Sequence, residues 1–511
     1  MVDDGRLNQP STPAAGLVRG SSLLLGGKFI SVGLSLLVQI LIVRYLSQAD
    51  YGGFAFALAA IALAANVGLF GMDKTLSRFL PIYDERGDSA RAAGALLLAA
   101  GTVAVTGAIT VGTITVFDNW LDDVLIHDEL ATSLLVILAP LAPVLAADSL
   151  AMSTFAVLNM PRAILVRRHI VQPLLQLVVV SGVIGLQLGV TALALGYVIA
   201  SVVGLVVFGA FLMRLLIPRG WLAGTRDQPI RVPGREMVRF TAPLMSSDLI
   251  FLLTAHLVVI FLQVTQAATD VAVFRAVLPL AQQNLLVAST VFLLFLPVAS
   301  RTYARREIRS LNELYWQSTV WTTILTFPIF LLTFLFAKPL SETLFGSQYA
   351  ASGLVLAWLS VGYYLVAAFG FSSYLLRVYG RVRYVVVTDL VTVAVGIPVT
   401  IALVMAMGPA GGAMAVTVVL VLNKVLLHAG LRALPGIELF PRRYITVYAG
   451  VAGVPVAIVA MQQLFQLPIA ATLTIGLMAA VGLPLAMRGS LNLAEFFPEA
   501  GRIPLIGSLF R

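Results

Sequence analysis

The chain has 511 residues, of which 59% are hydrophobic and only 11% charged, and its mean hydropathy is +0.97. Soluble domains carry about 25% charged residues, so a water-covered globule of this size is excluded and the bilayer is the remaining solvent. The formal net charge is +9, and the absence of cysteine excludes disulfides and cysteine-based metal sites.

Residues 1–16 are polar, contain Pro10 and Pro13, and read as a disordered cytoplasmic N-terminus. A membrane helix needs about 20 predominantly apolar residues. About fourteen such spans follow, at 20–43, 51–71, 92–117, 131–157, 166–187, 190–213, 237–264, 269–299, 314–336, 351–376, 383–407, 411–431, 444–464 and 468–487. The divisions at Gly189 and at Gly408-Pro409 rest on short turns. The first span lacks the small-residue cleavage site of a signal peptide and reads as a retained helix.

The connections alternate in charge. One set carries Lys74, Arg78, Arg86 and Arg91, then Arg162, Arg167 and Arg168, and continues in this way to Arg432, Arg442 and Arg443. The other set carries Arg44 and Lys338, and one of its members, DNWLDDVLIHDE from Asp118, is acidic. The positive-inside rule then places both termini in the cytoplasm, which requires an even number of spans. The +9 therefore records orientation and gives no reason to invoke nucleic acid. The longest connection, about Ile217–Glu236, contains Pro218, Pro229 and Pro233 and reads as a cytoplasmic linker near anionic headgroups. The tail 488–511 mixes Phe496, Phe497 and Arg502, and reads equally as interfacial or frayed.

Shifting the sequence by about 220 residues lays Val18-Arg19 on Val238-Arg239, Asp50 on Asp270 and Phe54 on Phe274. Leu145, Ala147 and Ser153 fall on Leu365, Ala367 and Ser373 at the same offset. The offset spans six predicted helices, an even number, so the repeat is parallel. The expected architecture is an all-α polytopic membrane protein with two parallel-repeat six-helix lobes plus two C-terminal helices. Its divisions are 17–216 for the N-lobe, 217–236 for the linker, 237–434 for the C-lobe, 435–487 for the last helices and 488–511 for the tail. Such architectures enclose a cavity and transport by rocking one lobe against the other.

The opening RGSSLLLGGKFISVGLSLLVQILIVRYLSQADYGGFAFALA, the run FLPIYDERGD and the segment FAVLNMPRAILVRR resemble the oligosaccharide flippases. These belong to the multidrug/oligosaccharidyl-lipid/polysaccharide exporter superfamily. The resemblance implies export of a lipid-linked sugar from the cytoplasmic to the outer leaflet, with a polyprenyl-linked glycan as substrate.

Charge inside a membrane is costly, about 2.5–3.5 kcal/mol or more, so each such residue is a functional candidate. Lys28 lies roughly 14 Å past the polar edge at Arg19. Ser21, Ser31, Ser35 and Gln39 share its helix face, as a cavity wall or as a helix contact. Asp248 is its repeat mate and a candidate gate. Arg275 and Gln282 share a face of the eighth span, where a guanidinium suits phosphate or snorkels to headgroups. Peptidoglycan-precursor flippases are similar in carrying cavity cations on the first and eighth helices, which implies that Lys28 and Arg275 meet the substrate phosphate.

Asp148 and His256 are candidates for proton or cation coupling, with a packing histidine as the other reading of His256. Lys424 and His428 share a helix face and read as snorkelling near the inner mouth, whereas Asp389 and His169 read as interfacial. The acidic loop 118–129 reads as solvated, or as holding a divalent cation.

A flippase is the leading function. A cation-coupled drug antiporter of the same superfamily is the alternative, followed by a major-facilitator transporter and an integral-membrane glycosyltransferase or polymerase. No nucleophile–base set, zinc spacing or phosphate loop is found, so neither an enzyme nor a cofactor is expected. The expected setting is the plasma membrane, as a monomeric transport unit among membrane lipids and glycan-assembly enzymes.

Overall fold

The structure is a computed structural model that describes residues 30–221, 230–465 and 468–486. Side chains at 240, 242–255, 293–294, 469–470, 473, 481 and 483–486 lie outside this description. So do Lys28, the polar start 1–16 and the tail 488–511.

Every regular element among the described residues is helical. Nine of these helices are long and apolar enough to cross a membrane, or ten if one bent pair counts as a single span. The protein is a multi-pass membrane protein. Its chain divides into two compact units, Met1–Met245 and Ser246–Arg511.

The first unit contains α1 (Ile30–Tyr45), α2 (Gln48–Leu69), α3 (Met72–Glu85) and α4 (Ser89–Val116). Ser47 caps α2 by accepting from the Asp50 amide at 3.1 Å. Phe70 and Gly71, with φ of 50° and 65°, interrupt the helix, and it resumes as α3. The second span therefore runs past its predicted end at 71, and most of FLPIYDERGD is helical. The turn comes at Gly87 (φ 64°), after which Asp88 caps α4 through the Arg91 amide at 3.0 Å.

The predicted span 131–157 is bent by 40° between α5 (Glu129–Leu138) and α6 (Leu141–Val157). Pro140 stands at this bend, where it has no amide to donate. The next helical stretch, α7 (Pro161–Gly185), contains a π-helical segment at Leu165–Val171. It ends at a turn with Gln187 at φ 54°, and α8 (Val190–Leu216) succeeds it. The Tyr45 hydroxyl ties α1 to this turn by donating to the Leu188 carbonyl at 2.9 Å.

The acidic loop is not merely solvated. Asp122 Oδ1 accepts from Thr132 Oγ1 at 3.0 Å and from the Asp128 amide at 3.1 Å. Asp128 in turn caps α5 through the Ala131 amide at 3.1 Å. Its carboxylates thus satisfy helix-start amides, and no metal-capable group of three or more occurs among the described residues.

The predicted linker is more than a strap at the headgroups. Trp221 is 3% exposed, and the Arg231 amide donates to the Ala90 carbonyl of α4 at 3.2 Å. Gly94 permits this approach, since a Cβ there would lie 2.0 Å from the Arg231 carbonyl oxygen. Backbone cannot yield as a flexible side chain does, so Gly94→Ala is expected to cost about 1–3 kcal/mol. Thermal unfolding of the purified protein measures this, and an unchanged midpoint would remove the contact.

The second unit contains α10 (Ala268–Gln282), α11 (Leu286–Ala304), α12 (Ile308–Leu335), α13 (Ala337–Phe345), α14 (Ser352–Ala368) and α15 (Ser372–Val378). The preceding helix, α9 (Gly234–Thr265), holds the division between the units. The core of the second unit is aromatic, with Tyr315, Trp316, Phe327, Tyr364 and Phe371 all buried.

The helical stretch α16 (Val382–Gly430) contains Gly408 at φ 56°, ψ −132°. The two limbs fold back on each other there. Tyr384 donates to the Leu426 carbonyl at 2.7 Å, and a Cβ on Gly411 would sit 1.8 Å from the Leu403 carbonyl oxygen. The predicted division at Gly408-Pro409 is this hairpin tip. The last described helices are α17 (Ile445–Phe465) and α18 (Ile469–Ala486).

Candidate functional site

In the second unit, α10 brings Arg275 and Gln282 toward α14. Arg275 is half-buried and has no hydrogen-bond or ion-pair partner among the described residues. Its charge bears on His256 of α9 and on Tyr363 of α14. Gln282 Nε2 reaches the Tyr363 hydroxyl at 3.4 Å, a long hydrogen bond. His256 Nδ1 is buried without a hydrogen-bond partner among the described residues. Arg275 and Gln282, both singled out from the sequence, thus meet Tyr363, which the sequence reading missed, and His256 joins them through Arg275. Tyr363 stands beside Tyr364 in an apolar run, and the pair gives no signal of which hydroxyl meets Gln282. The group offers a guanidinium with no ion-pair partner among the described residues, an amide, a phenol and an imidazole, which suits an anion better than a cation.

In the first unit, Asp148 is paired. Arg167 Nε and Nη2 each lie 2.9 Å from Asp148 Oδ1, and Nη1 donates to Gln172 Oε1 at 2.5 Å. The Arg167 side chain is 2% exposed, so this arginine is a buried partner and not the loop charge that its position suggested. The π-helical segment turns it inward, and a Cβ on Gly204 of α8 would lie 2.8 Å from its guanidinium. Its Cζ also lies 5.7 Å from the Phe208 ring centroid. Arg168, the next residue, is exposed.

Asp148 also faces a cavity of about 440 Å³, lined by Asn66, Asp73, Ser149, Ser153 and Arg168 among others. Ser149 and Ser153 donate to the carbonyls of Leu145 and Ser149 at 3.1 and 2.8 Å. Asn66 Nδ2 donates to the Ala62 carbonyl at 2.8 Å. The two serines keep acceptor lone pairs, while Arg168 and the second N–H of Asn66 add donors. The cavity therefore offers both acceptors and donors, as a ligand rich in hydroxyls requires.

Gln39 of α1 is half-buried and donates through Nε2 to the Tyr51 hydroxyl at 2.5 Å. Lys28 lies outside the described residues, and Asp248 stands on α9 with its side chain outside them. Asp389 is 7% exposed and accepts from Asn423 Nδ2 at 3.1 Å, so its carboxylate is buried against protein. His169 is half-buried on the π-helical segment. His428 does not snorkel. Its Nε2 is 3.0 Å from the Leu439 carbonyl, and its ring centroid lies 5.0 and 5.8 Å from those of Phe440 and Phe369.

No curated protein sequence matches this chain. Several solved structures share its fold. It is similar to the Lipid II flippase MurJ in an inward closed conformation, with 12% identity, a TM-score of 0.68, and 92% of this chain and 99% of that one covered. An inward-facing multidrug resistance MATE family transporter of the MOP superfamily is similar at 15% identity and a TM-score of 0.59, covering 81% of this chain and 96% of that one. A MOP superfamily transporter from Pyrococcus furiosus is similar at 16% identity and a TM-score of 0.56, covering 82% and 94%. These likenesses establish an all-α membrane-transporter fold. The model of the polysaccharide biosynthesis protein family matches residues 17–303, more than half of the chain, and the chain belongs to that family.

Proposed function

We propose that the protein is a flippase that moves a lipid-linked sugar bearing a phosphate or diphosphate from the cytoplasmic to the outer leaflet by alternating access. The observation that carries this reading is Arg275, a half-buried guanidinium on an apolar helix with no hydrogen-bond or ion-pair partner among the described residues. Such a group is expensive in a membrane unless a ligand or water meets it. Phosphate matches its planar fork. The family match supports the protein's use in surface polysaccharide assembly.

Lys28 remains a second phosphate ligand on sequence grounds alone, and Gln39 and Gln282 are assigned to the substrate. Asp248 and His256 are assigned to gating or ion coupling, and Asp148, paired with Arg167, to gating alone. The proposed setting is the plasma membrane with both termini cytoplasmic, as a monomeric transport unit that acts with glycan-assembly enzymes. The antiporter reading has its support in the likeness to MATE transporters. Against it, Asp148 is neutralised by Arg167 and is no free carboxylate for a cation.

The test is reconstitution of the purified protein in vesicles holding a fluorescent lipid-linked sugar. Access of a membrane-impermeant quencher to the inner-leaflet pool reports translocation. Faster quenching than in protein-free vesicles is expected. No acceleration, together with ion-driven efflux of a cationic dye, would establish the antiporter instead.

A further inference from the structure

A separate cavity of about 300 Å³ lies in the second unit, lined by Phe369 beside α14, by Lys424, Val425, His428 and Arg432, and by Phe440. Its floor is fixed. The hydrogen bond between His428 Nε2 and the Leu439 carbonyl holds the 439–440 segment against the helix, and Phe440 and Phe369 flank the imidazole. Its polar part is cationic. Neither Lys424 nor Arg432 has a hydrogen-bond or ion-pair partner among the described residues. The carboxylate whose charge bears on Lys424 is Asp389, which is itself engaged by Asn423.

Three ammonium donors and a guanidinium fork thus open on one cavity whose other walls are aromatic and aliphatic. Above it, Val418 and Val425 of the same helical limb are 46% and 59% exposed, with Val421 between them on the cavity wall. These three share one face by their spacing.

We infer that this cavity binds the phosphate of a single-chain isoprenoid phosphate lipid, with its tail along Val418, Val421 and Val425. Charge complementarity decides the occupant. Two cations match a phosphomonoester or diphosphate, which carries more than one negative charge, better than the single charge of a glycerophospholipid diester. One stripe on one helix matches one chain better than two. The choice of an isoprenoid lipid rests on the proposed transport of lipid-linked sugars. The site itself is distinct from the Arg275 group and would hold the bare carrier phosphate.

The experiment is titration of the full-length protein in detergent with farnesyl phosphate, farnesol and phosphatidylglycerol, read by native mass spectrometry. Farnesyl phosphate is expected to bind and farnesol to fail. Lys424→Gln and Arg432→Gln are each expected to weaken binding about ten-fold, the scale of one charge-assisted hydrogen bond. Arg432 is exposed, so its variant keeps the test decisive if Lys424→Gln does not fold. Equal affinity for phosphatidylglycerol, or full binding by the Arg432 variant, overturns the site. Binding of farnesyl phosphate with the expected variant losses upholds it, and if the same preparation translocates no sugar lipid, the flippase reading alone falls.

Discussion

Arg167→Ala is expected to destabilise the protein by about 1–3 kcal/mol, the cost of stripping the hydrogen bonds from a partly buried charged group. The arginine is 2% exposed and satisfies both Asp148 and Gln172, so its removal orphans a carboxylate and an amide and leaves a void beside Gly204. Thermal unfolding and the rate of proteolysis of the first unit measure the effect. Replacing both charges, as Arg167→Met with Asp148→Leu, is expected to recover much of the loss, because two apolar groups leave no buried charge behind. A double variant no better than Arg167→Ala would mean that the arginine acts through packing on Phe208 and Gly204, not through its charge.

Arg275→Ala is expected to behave in the opposite way. Nothing among the described residues is hydrogen-bonded to this arginine, so its loss orphans no partner there. Removing a charge from a membrane helix relieves a cost of about 2.5–3.5 kcal/mol on insertion scales where no described residue pairs with it. The unfolding midpoint is therefore expected to hold or rise. Translocation is expected to fall roughly 10- to 100-fold, the worth of a charge-assisted contact to phosphate. Arg275→Lys is expected to recover part of it, since an ammonium keeps the charge but loses the bidentate fork. Full translocation by Arg275→Ala in vesicles would exclude this residue from the substrate site.

The positions of the spans were legible because long apolar runs end at recognisable turns. Gln187–Gly189 and Gly408 break the helices where the turn residues predicted. The extension of the second span as α3 was not read, since MDKTLSRFLPIYDE is charged and fails a hydropathy window. Its helicity is written instead in periodicity, for Met72, Leu76, Phe79, Leu80 and Tyr83 are buried along one face.

The site was legible in part. Arg275, Gln282 and His256 stood out as polar groups in apolar helices, whereas Tyr363 did not. Arg167 was misplaced for a specific reason. It adjoins Arg168 at a helix end, and a basic pair there reads as two headgroup-facing charges. The π-helical winding places one of the two inside and the other outside.

That winding also sets which spacing of side chains can meet. At 3.6 residues per turn, residues five apart stand about 140° apart around a helix, so Arg167 and Gln172 would face different sides. Winding closed by i→i+5 bonds brings residues five apart onto one side, and Arg167 Nη1 donates to Gln172 Oε1 across it. A substitution that returned Leu165–Val171 to regular winding would part these two side chains even with both residues kept. The contact belongs to the backbone as much as to the arginine and the glutamine.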